Sequence, residues 1–203
     1  MKIALIGASG NIGSKVLAEA VSRGHQVTGI ARDAGKIEAG ANAKAAACDL
    51  ADEGKLAGLL QGHDAVIVSV RHDLNDTRHV YAACRLAGVR RVLVVGGAAS
   101  LEVSPGLMLI DTPGFPEQIK VQAIPAVEAL REIRKIADLD WTFVSPSIVI
   151  APGERIGRFR TGGDTLLKDD KGESRISQED FAVALLDEVE SPKHIRQRFT
   201  VGY

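Results

Sequence analysis

The sequence predicts an α/β fold built on a doubly wound, mostly parallel β-sheet with a small C-terminal elaboration. Short aliphatic runs alternate with longer amphipathic segments from residue 1 to about residue 145. Uninterrupted apolar strands separated by helices are typical of a parallel sheet that is covered on both faces. Right-handed crossovers between such strands wind the chain in both directions from a central point, as in Rossmann-type folds.

The elements of this alternation follow one another in a regular order. Apolar residues between positions 11 and 23 recur at helical spacing, and Gly24 stands where a helix ends. The predicted strands are residues 3–6, 26–31, 43–47, 65–70, 91–95 and 141–145, and the predicted helices are 11–23, 56–60, 76–87 and 117–137.

Two stretches depart from the alternation. Residues 96–116 hold three prolines and four glycines and form a long loop, a feature that is often functional inside a compact domain. After Pro146, residues 158–161 and 165–168 flank two glycines and predict a β-hairpin. Ser177 predicts the cap of a helix over 181–189, and 198–201 predicts a last strand. No linker or repeat intervenes, so residues 1–203 are predicted to form one domain.

Charge and composition exclude several classes of protein. Lysine and arginine total 25 and aspartate and glutamate total 26, which gives a formal net charge of −1. Nucleic-acid binding needs a clustered basic excess, so we expect no nucleic-acid partner. No apolar run reaches the roughly 20 residues of a membrane span. Without a signal-peptide pattern, and with only Cys48 and Cys84 as cysteines, the chain is expected to be cytoplasmic.

A glycine-rich turn joins the first strand to the first helix. It consists of Gly7, Ala8, Ser9, Gly10, Asn11, Ile12 and Gly13. A diphosphate can approach the free N–H groups of a helix start only where side chains are absent. Gly7 would permit the tight turn, Gly10 the approach of the phosphates, and Gly13 close packing of helix and strand. The strand–turn–helix context predicts a dinucleotide site, although such glycines can also serve turn geometry alone.

The spacing of these glycines resembles that of the atypical branch of the short-chain dehydrogenase/reductase superfamily. Further segments resemble the NAD(P)H–flavin reductase family, which is similar to the NmrA-like and biliverdin-reductase-B-like proteins. They are residues 96–101, 111–113, 140–146 and 198–203. The resemblance spans essentially the whole chain and implies a Rossmann-type fold, a nicotinamide cofactor and a reductase activity.

The residues after the second strand bear on the choice of dinucleotide. An acid there accepts the ribose hydroxyls of NAD, whereas a base holds the 2′-phosphate of NADP. Arg32 comes first, and its planar guanidinium suits a phosphate, so NADP is favoured. The adjacent Asp33 keeps NAD open, and a solvated Arg32–Asp33 pair is the alternative. The resemblance implies that Asp49 and Leu50 lie near the adenine ring; a turn-forming or helix-capping Asp49 is the other interpretation.

The ends of three later strands are expected to line the nicotinamide half of the site, because ligands of such folds bind at the carboxyl ends of the strands. These residues are Ser69 and Val70 after the fourth strand, Gly97 after the fifth and Pro146 after the sixth. Gly97 would permit close approach of the ring. Pro146 matches a proline that the superfamily places near the nicotinamide. Each could instead simply mark the end of a strand.

The usual proton donor of the superfamily is missing. That group is the tyrosine of a Tyr-x-x-x-Lys pair, but the only tyrosines are Tyr81 and Tyr203, and Pro116 stands four residues before Lys120. Carbonyl reduction would lack its acid. A flavin or similar planar acceptor fits this absence, because the flavin itself accommodates the transferred charge. A non-catalytic redox sensor of the NmrA-like kind fits it equally, and no catalytic residue is assigned.

Other candidate residues are less decisive. The apolar residues Leu107, Met108, Leu109 and Phe115 could cover an acceptor or only pack on the protein. Arg155, Arg158 and Arg160 could bind a flavin phosphate or remain solvated. His72, Asp73, Asp76 and His79 lie close in sequence, but no further anchored ligand accompanies them, so no metal site is predicted. The expected partner is a small-molecule acceptor, and the protein is expected to be a monomer or a homodimer.

Overall fold

The computed structural model describes residues 1–203 and is organised around one eight-stranded sheet. Its strands run in the order β10-β12-β8-β5-β4-β1-β2-β3. Every neighbouring pair is parallel except β10 and β12. The strands of this sheet are β1 (Lys2–Ile6), β2 (Gln26–Ala31), β3 (Ala43–Ala47), β4 (Ala65–Val68), β5 (Arg91–Val95), β8 (Asp140–Ser145), β10 (Arg160–Gly162) and β12 (Gln197–Gly202). The predicted doubly wound α/β fold is confirmed.

Five α-helices and two small strand pairs complete the fold. The helices are α1 (Asn11–Ser22), α2 (Glu53–Leu60), α3 (Arg78–Ala87), α4 (Glu117–Ile133) and α5 (Gln178–Glu190). The strands β6 (Glu102–Ser104) and β7 (Leu107–Met108) pair in the long loop after β5, and β9 (Val149–Ala151) pairs with β11 (Arg175–Ser177). No helix combines the length and the apolar character of a membrane span.

Both faces of the sheet are buried by helices. Helices α1 and α5 cover one face over a core of 23 buried residues, and α2, α3 and α4 cover the other over a core of 22. Both sides of β1, β4 and β5 therefore meet apolar neighbours. This explains why these strands are continuous apolar runs in the sequence. The chain leaves β1 towards β2 and β3, then returns beside β1 with β4 and continues in the opposite direction.

The predicted C-terminal hairpin is wrong. Residues 160–162 form β10, which pairs with β12, with Thr161 opposite Val201. Thr165 makes only an isolated bridge to Glu102, far away in sequence. At the edge of the large sheet, β12 gives β10 a long strand to pair with. A hairpin closed by the two glycines would give it only a short local partner. Smaller differences occur at element ends: β4 stops at Val68, α3 starts at Arg78 and α4 stops at Ile133.

Candidate functional site

The reversal of strand order between β1 and β4 creates a crevice at the carboxyl ends of the strands. In open α/β sheets this is the place where ligands bind. The glycine turn follows β1, Ser69 and Val70 follow β4, Gly97 follows β5 and Pro146 follows β8. The structure therefore brings these predicted residues to one edge of the sheet.

Protein packing by itself requires glycine at two positions of the turn. Gly7 has a φ of +82°, and a Cβ there would lie 2.0 Å from the carbonyl oxygen of Ser69. A Cβ on Gly13 would lie 2.0 Å from the carbonyl oxygen of Gly7. A Cβ on Gly10 would meet only the Gly7 oxygen, at 3.3 Å. Gly10 is thus the glycine that the protein's own packing explains least.

The first turn of α1 presents unused hydrogen-bond donors. Gly10, the N-cap residue, has no side chain that could cap the helix, and the first turn has no acidic residue. The N–H groups of Asn11, Ile12 and Gly13 donate to no protein atom, and the first satisfied one is that of Ser14, which donates to the Gly10 oxygen at 2.8 Å. Free N–H groups and the positive end of the helix dipole favour a bound anion. This cradle fits the diphosphate of a dinucleotide.

The basic and acidic residues after β2 have different surroundings. Asp33 accepts a hydrogen bond from the N–H of Gly35 at 3.0 Å and lies 3.5 Å from the Lys36 ammonium group. Arg32 is exposed and makes no hydrogen bond or ion pair. The alternative of an Arg32–Asp33 pair is therefore absent. The carboxylate is used by its own turn, while the guanidinium is free for a ligand.

The two residues after β3 also differ from each other. One carboxylate oxygen of Asp49 accepts from the N–H of Ala51 at 3.0 Å, which is the turn-forming role considered above. Its other carboxylate oxygen has no protein partner, and the side chain is exposed. Leu50 is 8% exposed and belongs to the core beneath α2. An adenine contact by Asp49 and Leu50 stays a prediction.

At the expected nicotinamide half, Gly96 is the packed glycine and Gly97 is the open one. A Cβ on Gly96 would fall 1.9 Å from the ring of Phe143, whereas a Cβ on Gly97 would have only Ala126, at 3.7 Å. The sequence pointed to the Gly96–Gly97 pair as a strand end at this half but did not predict the packing of Gly96 against Phe143. Ser69 is half-buried and its N–H donates to the Ile6 oxygen at 2.8 Å, which carries the sheet pairing one residue beyond β4.

Neither tyrosine lies on α4, where the usual proton donor would stand. Tyr81 lies in the core under α3, its hydroxyl has no hydrogen-bond partner, and burial raises its pKa to about 12. The Tyr203 hydroxyl contacts Asp180 at 2.8 Å and Ser177 at 2.9 Å. Burial contributes most to the raised pKa of Tyr203. Lys120 on α4 contacts Glu117, one turn away.

The histidines face separate partners. His72 is half-buried; its Nε2 lies 2.9 Å from the Val95 oxygen, and its Nδ1 has no partner. Burial lowers the pKa of His72, so its neutral form is favoured. His79 contacts Glu53 at 2.7 Å. His72 thus braces the ends of β4 and β5, a contact that the sequence did not reveal.

A buried arginine links the loops around the crevice. Arg198 on β12 donates to Asp164, and it lies 3.3 Å from the hydroxyls of Ser100 and Ser145. Burial lowers the pKa of Arg198, and Asp164 opposes this. Ser145 ends β8 and Ser100 follows the Gly96–Gly97 pair, so Arg198 ties together the connections after two site-forming strands. Nothing in the local sequence indicated this role.

Of the three arginines considered for a flavin phosphate, two are already engaged. Arg155 forms two hydrogen bonds with Glu19, at 2.7 and 2.8 Å, and Arg160 donates to two backbone carbonyls. The Arg155 contact, with Arg23, holds the pKa of Glu19 below its usual value. Only Arg158 has no partner. In the long loop, Phe115 packs against the small core formed with α4, while Leu107 stays 38% exposed.

Comparison with known proteins fixes the family. A model of a family described as NAD(P)H-binding matches residues 7–192. The chain belongs to this NAD(P)H-binding family. The chain is accordingly an oxidoreductase-like protein with a nicotinamide cofactor. The resemblance to atypical short-chain dehydrogenases/reductases is confirmed.

Three solved structures resemble this member of the NAD(P)H-binding family over its whole length. A protein of Burkholderia pseudomallei provisionally named as exported is 46% identical, with a TM-score of 0.92 and full coverage of both chains. One of Bacteroides thetaiotaomicron, provisionally named an epimerase, is 40% identical, with a TM-score of 0.95 over 100% of this chain and 96% of that one. One of Streptococcus pneumoniae, provisionally named an NADH-flavin reductase, is 35% identical, with a TM-score of 0.88 over 100% and 99%.

Proposed function

We propose that this protein is an NADPH-dependent oxidoreductase that transfers hydride to a flavin or a similar planar conjugated acceptor. One observation carries the proposal: the crevice offers free phosphate-binding groups at one end and no tyrosine acid at the other. The name of the Streptococcus pneumoniae relative supports a flavin as the acceptor. In this proposal residues 1–203 work as one NAD(P)-binding unit.

The chain's residues divide the binding task between the two ends. The N–H groups of Asn11, Ile12 and Gly13 would hold the diphosphate, and Arg32 the 2′-phosphate. The half-buried Ser69, Val70 and Gly97 would form the surface against which the nicotinamide lies, and the buried Pro146 would support it. When bound, NADPH supplies the hydride, and the remaining task of the protein is to hold the acceptor at contact distance and keep water out.

The direct test is oxidation of NADPH by the purified protein with riboflavin, FMN, FAD and a water-soluble quinone in turn. We expect turnover that scales with enzyme concentration with at least one of them, and a lower KM for NADPH than for NADH. The disappearance of reduced-nicotinamide absorbance reports the rate. Tight NADPH binding without turnover on any acceptor would contradict the proposal and favour the redox-sensor alternative.

Arg32→Ala is expected to raise the dissociation constant of NADPH by about tenfold while leaving that of NADH unchanged within about twofold. A charge-assisted hydrogen bond to a phosphate contributes about 1.5–3 kcal/mol, and only NADPH carries the 2′-phosphate. Isothermal titration calorimetry measures both constants.

Arg131→Ala is the matched control for this change. It also removes one exposed positive charge, and that arginine contacts only Glu128 on its own helix. Its NADPH affinity should equal that of the unmodified protein. An equal loss of NADPH and NADH affinity in Arg32→Ala would show that Arg32 does not read the 2′-phosphate.

A further inference from the structure

A cavity of about 330 Å³ opens at the amino ends of β1, β2 and β3. We call it the amino-end cavity. It lies at the far end of β1 from the glycine turn, because the strand begins at Lys2 and the turn follows Ile6. No aspartate or glutamate lines it, so its two lysines give the lining a net positive charge. Its polar side chains include Lys2, Gln26, Asn42, Lys44, Gln61 and His63.

The strand register places several of these groups on one face of the sheet. Lys2 is paired with Gln26, and Thr28 is paired with both Ala4 and Lys44. Directly paired residues, and residues two apart along a strand, point to the same side of a sheet. Ala4 belongs to the core beneath α2, α3 and α4. Polar side chains therefore stand on the face that becomes an apolar core two residues further along β1.

One wall of the amino-end cavity is the turn that follows α2. His63 fixes this turn against the sheet: its Nδ1 lies 3.0 Å from the Leu60 oxygen, and its Nε2 lies 2.8 Å from the Thr28 hydroxyl. No residue of α2 itself lines the cavity. The floor of paired strands and the braced wall form the cavity before any ligand binds, as is usual for small-molecule sites.

Most of the polar groups in the amino-end cavity have no partner in the protein. The ammonium groups of Lys2 and Lys44 form no ion pair or hydrogen bond. One carboxylate touches the lining, that of Asp64, and it accepts from the backbone N–H of Lys2 at 2.7 Å. Three carboxamides also make no hydrogen bond within the protein: Gln26, Asn42 and Gln61.

The free groups define the chemistry of a ligand. Two strand spacings, about 10 Å, separate β1 from β3, and the flexible stems of Lys2 and Lys44 let both ammonium groups turn towards one dianion between them. A phosphate monoester carries nearly two negative charges at neutral pH. The neighbouring carboxamides can donate to hydroxyl groups and accept from them.

We propose that the amino-end cavity binds a small phosphate monoester that also carries hydroxyl groups, of the sugar phosphate class. The site is separate from the crevice at the carboxyl ends of the strands. It does not depend on the proposed function, so either proposal can fail while the other stands.

Isothermal titration calorimetry tests the ligand class with glucose 6-phosphate, inorganic phosphate and glucose. The protein is saturated with NADP, so that the cradle at α1 is filled, and the ionic strength is held constant because salt screens exposed charges. We expect saturable one-to-one binding of glucose 6-phosphate, at least fivefold weaker binding of phosphate, and no saturable heat with glucose. Absence of saturable binding of glucose 6-phosphate would overturn the inference. Equal affinities for glucose 6-phosphate and phosphate would overturn the assignment of the ligand class.

A double variant locates the bound phosphate. Lys2→Gln combined with Lys44→Gln is expected to weaken glucose 6-phosphate binding at least tenfold, because two charge-assisted hydrogen bonds are lost. Its free energy of unfolding and its NADPH affinity should be unchanged, since neither ammonium group contacts the protein.

Lys168→Gln combined with Lys171→Gln is the matched control. It makes the same change in net charge with two exposed lysines that form no ion pair. They follow β10, at the opposite edge of the sheet from β3. This control should bind glucose 6-phosphate like the unmodified protein. Equal weakening in both double variants would show that overall charge alone attracts the phosphate, and unchanged binding in Lys2→Gln with Lys44→Gln would place it elsewhere; either result would overturn the inference.

Discussion

Gly7→Ala is expected to lower the free energy of unfolding by about 3 kcal/mol or more. Two costs add. A non-glycine residue in the left-handed region costs about 1–2 kcal/mol, and Gly7 has a φ of +82°. The new methyl group would also lie 2.0 Å from the Ser69 oxygen, so β1 and β4 must separate locally, at about 1–3 kcal/mol. Urea unfolding followed by circular dichroism measures the change.

Gly24→Ala isolates the first of these costs. Gly24 has a φ of +79°, nearly that of Gly7, but no atom lies within 4 Å of the position of its Cβ. We expect a loss of about 1 kcal/mol, the conformational cost alone. The difference between the two variants then measures the close approach of the turn to β4. Equal losses would show that the contact with Ser69 relaxes freely and that the turn is less rigid than its geometry indicates.

Most of the fold could be predicted from the sequence because its signals are local. The strands β1, β2, β3 and β5 are aliphatic runs bounded by turn residues, and their predicted bounds differ from the structure by one residue at most. Helix α1 is marked by apolar spacing and by the glycine that follows it. A strand that is buried on both faces can be recognised without knowing its neighbours in the sheet, because the whole run is apolar.

The predictions failed where pairing is non-local. Residues 158–168 carried a local hairpin signal, yet β10 joins β12 about forty residues further along the chain, with Arg160 opposite Gly202. The end of α4 was placed too late for a different reason. After Ile133 the N–H groups of Lys135 and Ile136 donate to carbonyls three residues back, so the helix tightens into a turn although its residues keep helical propensity.

The candidate site also has one half that the sequence predicted and one half whose contacts it did not. The glycine turn and Arg32 are read from consecutive residues, so a single sequence shows them. The contacts that shape the other half join residues far apart: His72 with Val95, 23 positions away, and Arg198 with Ser100, 98 positions away. The pairing of Arg155 with Glu19 spans 136 positions and removes a candidate phosphate ligand. No pattern in one sequence marks such partners.

Glu188→Ala is expected to be strongly destabilising, by about 3–5 kcal/mol, because it removes one member of a buried ion pair. Glu188 is 4% exposed and accepts from the Arg91 guanidinium at 2.9 Å and from the ring and backbone nitrogens of His194 at 2.8 and 2.9 Å. The Arg91 side chain is only 11% exposed and already has one nitrogen, Nε, without a partner. Without Glu188 its charge loses its only buried counter-ion.

The free energy of unfolding at acid pH is expected to depend on the same carboxylate, that of Glu188. Burial alone would raise the pKa of Glu188, but the hydrogen bonds from His194 and the backbone lower it below the ordinary value of 4.5. A lowered pKa in the folded state means that the stabilisation is complete above pH 4.5 and is lost as the pH falls through the folded-state pKa. We therefore expect the free energy of unfolding of Glu188→Gln to depend less steeply on pH below that value than that of the unmodified protein.

Glu190→Ala is the control for the loss of Glu188. Glu190 lies on the same helix and is 36% exposed, so its removal should lower the free energy of unfolding by about 1 kcal/mol or less. If the free energy of unfolding falls equally steeply at low pH in Glu188→Gln and in the unmodified protein, protonation of Glu188 is not what weakens the fold.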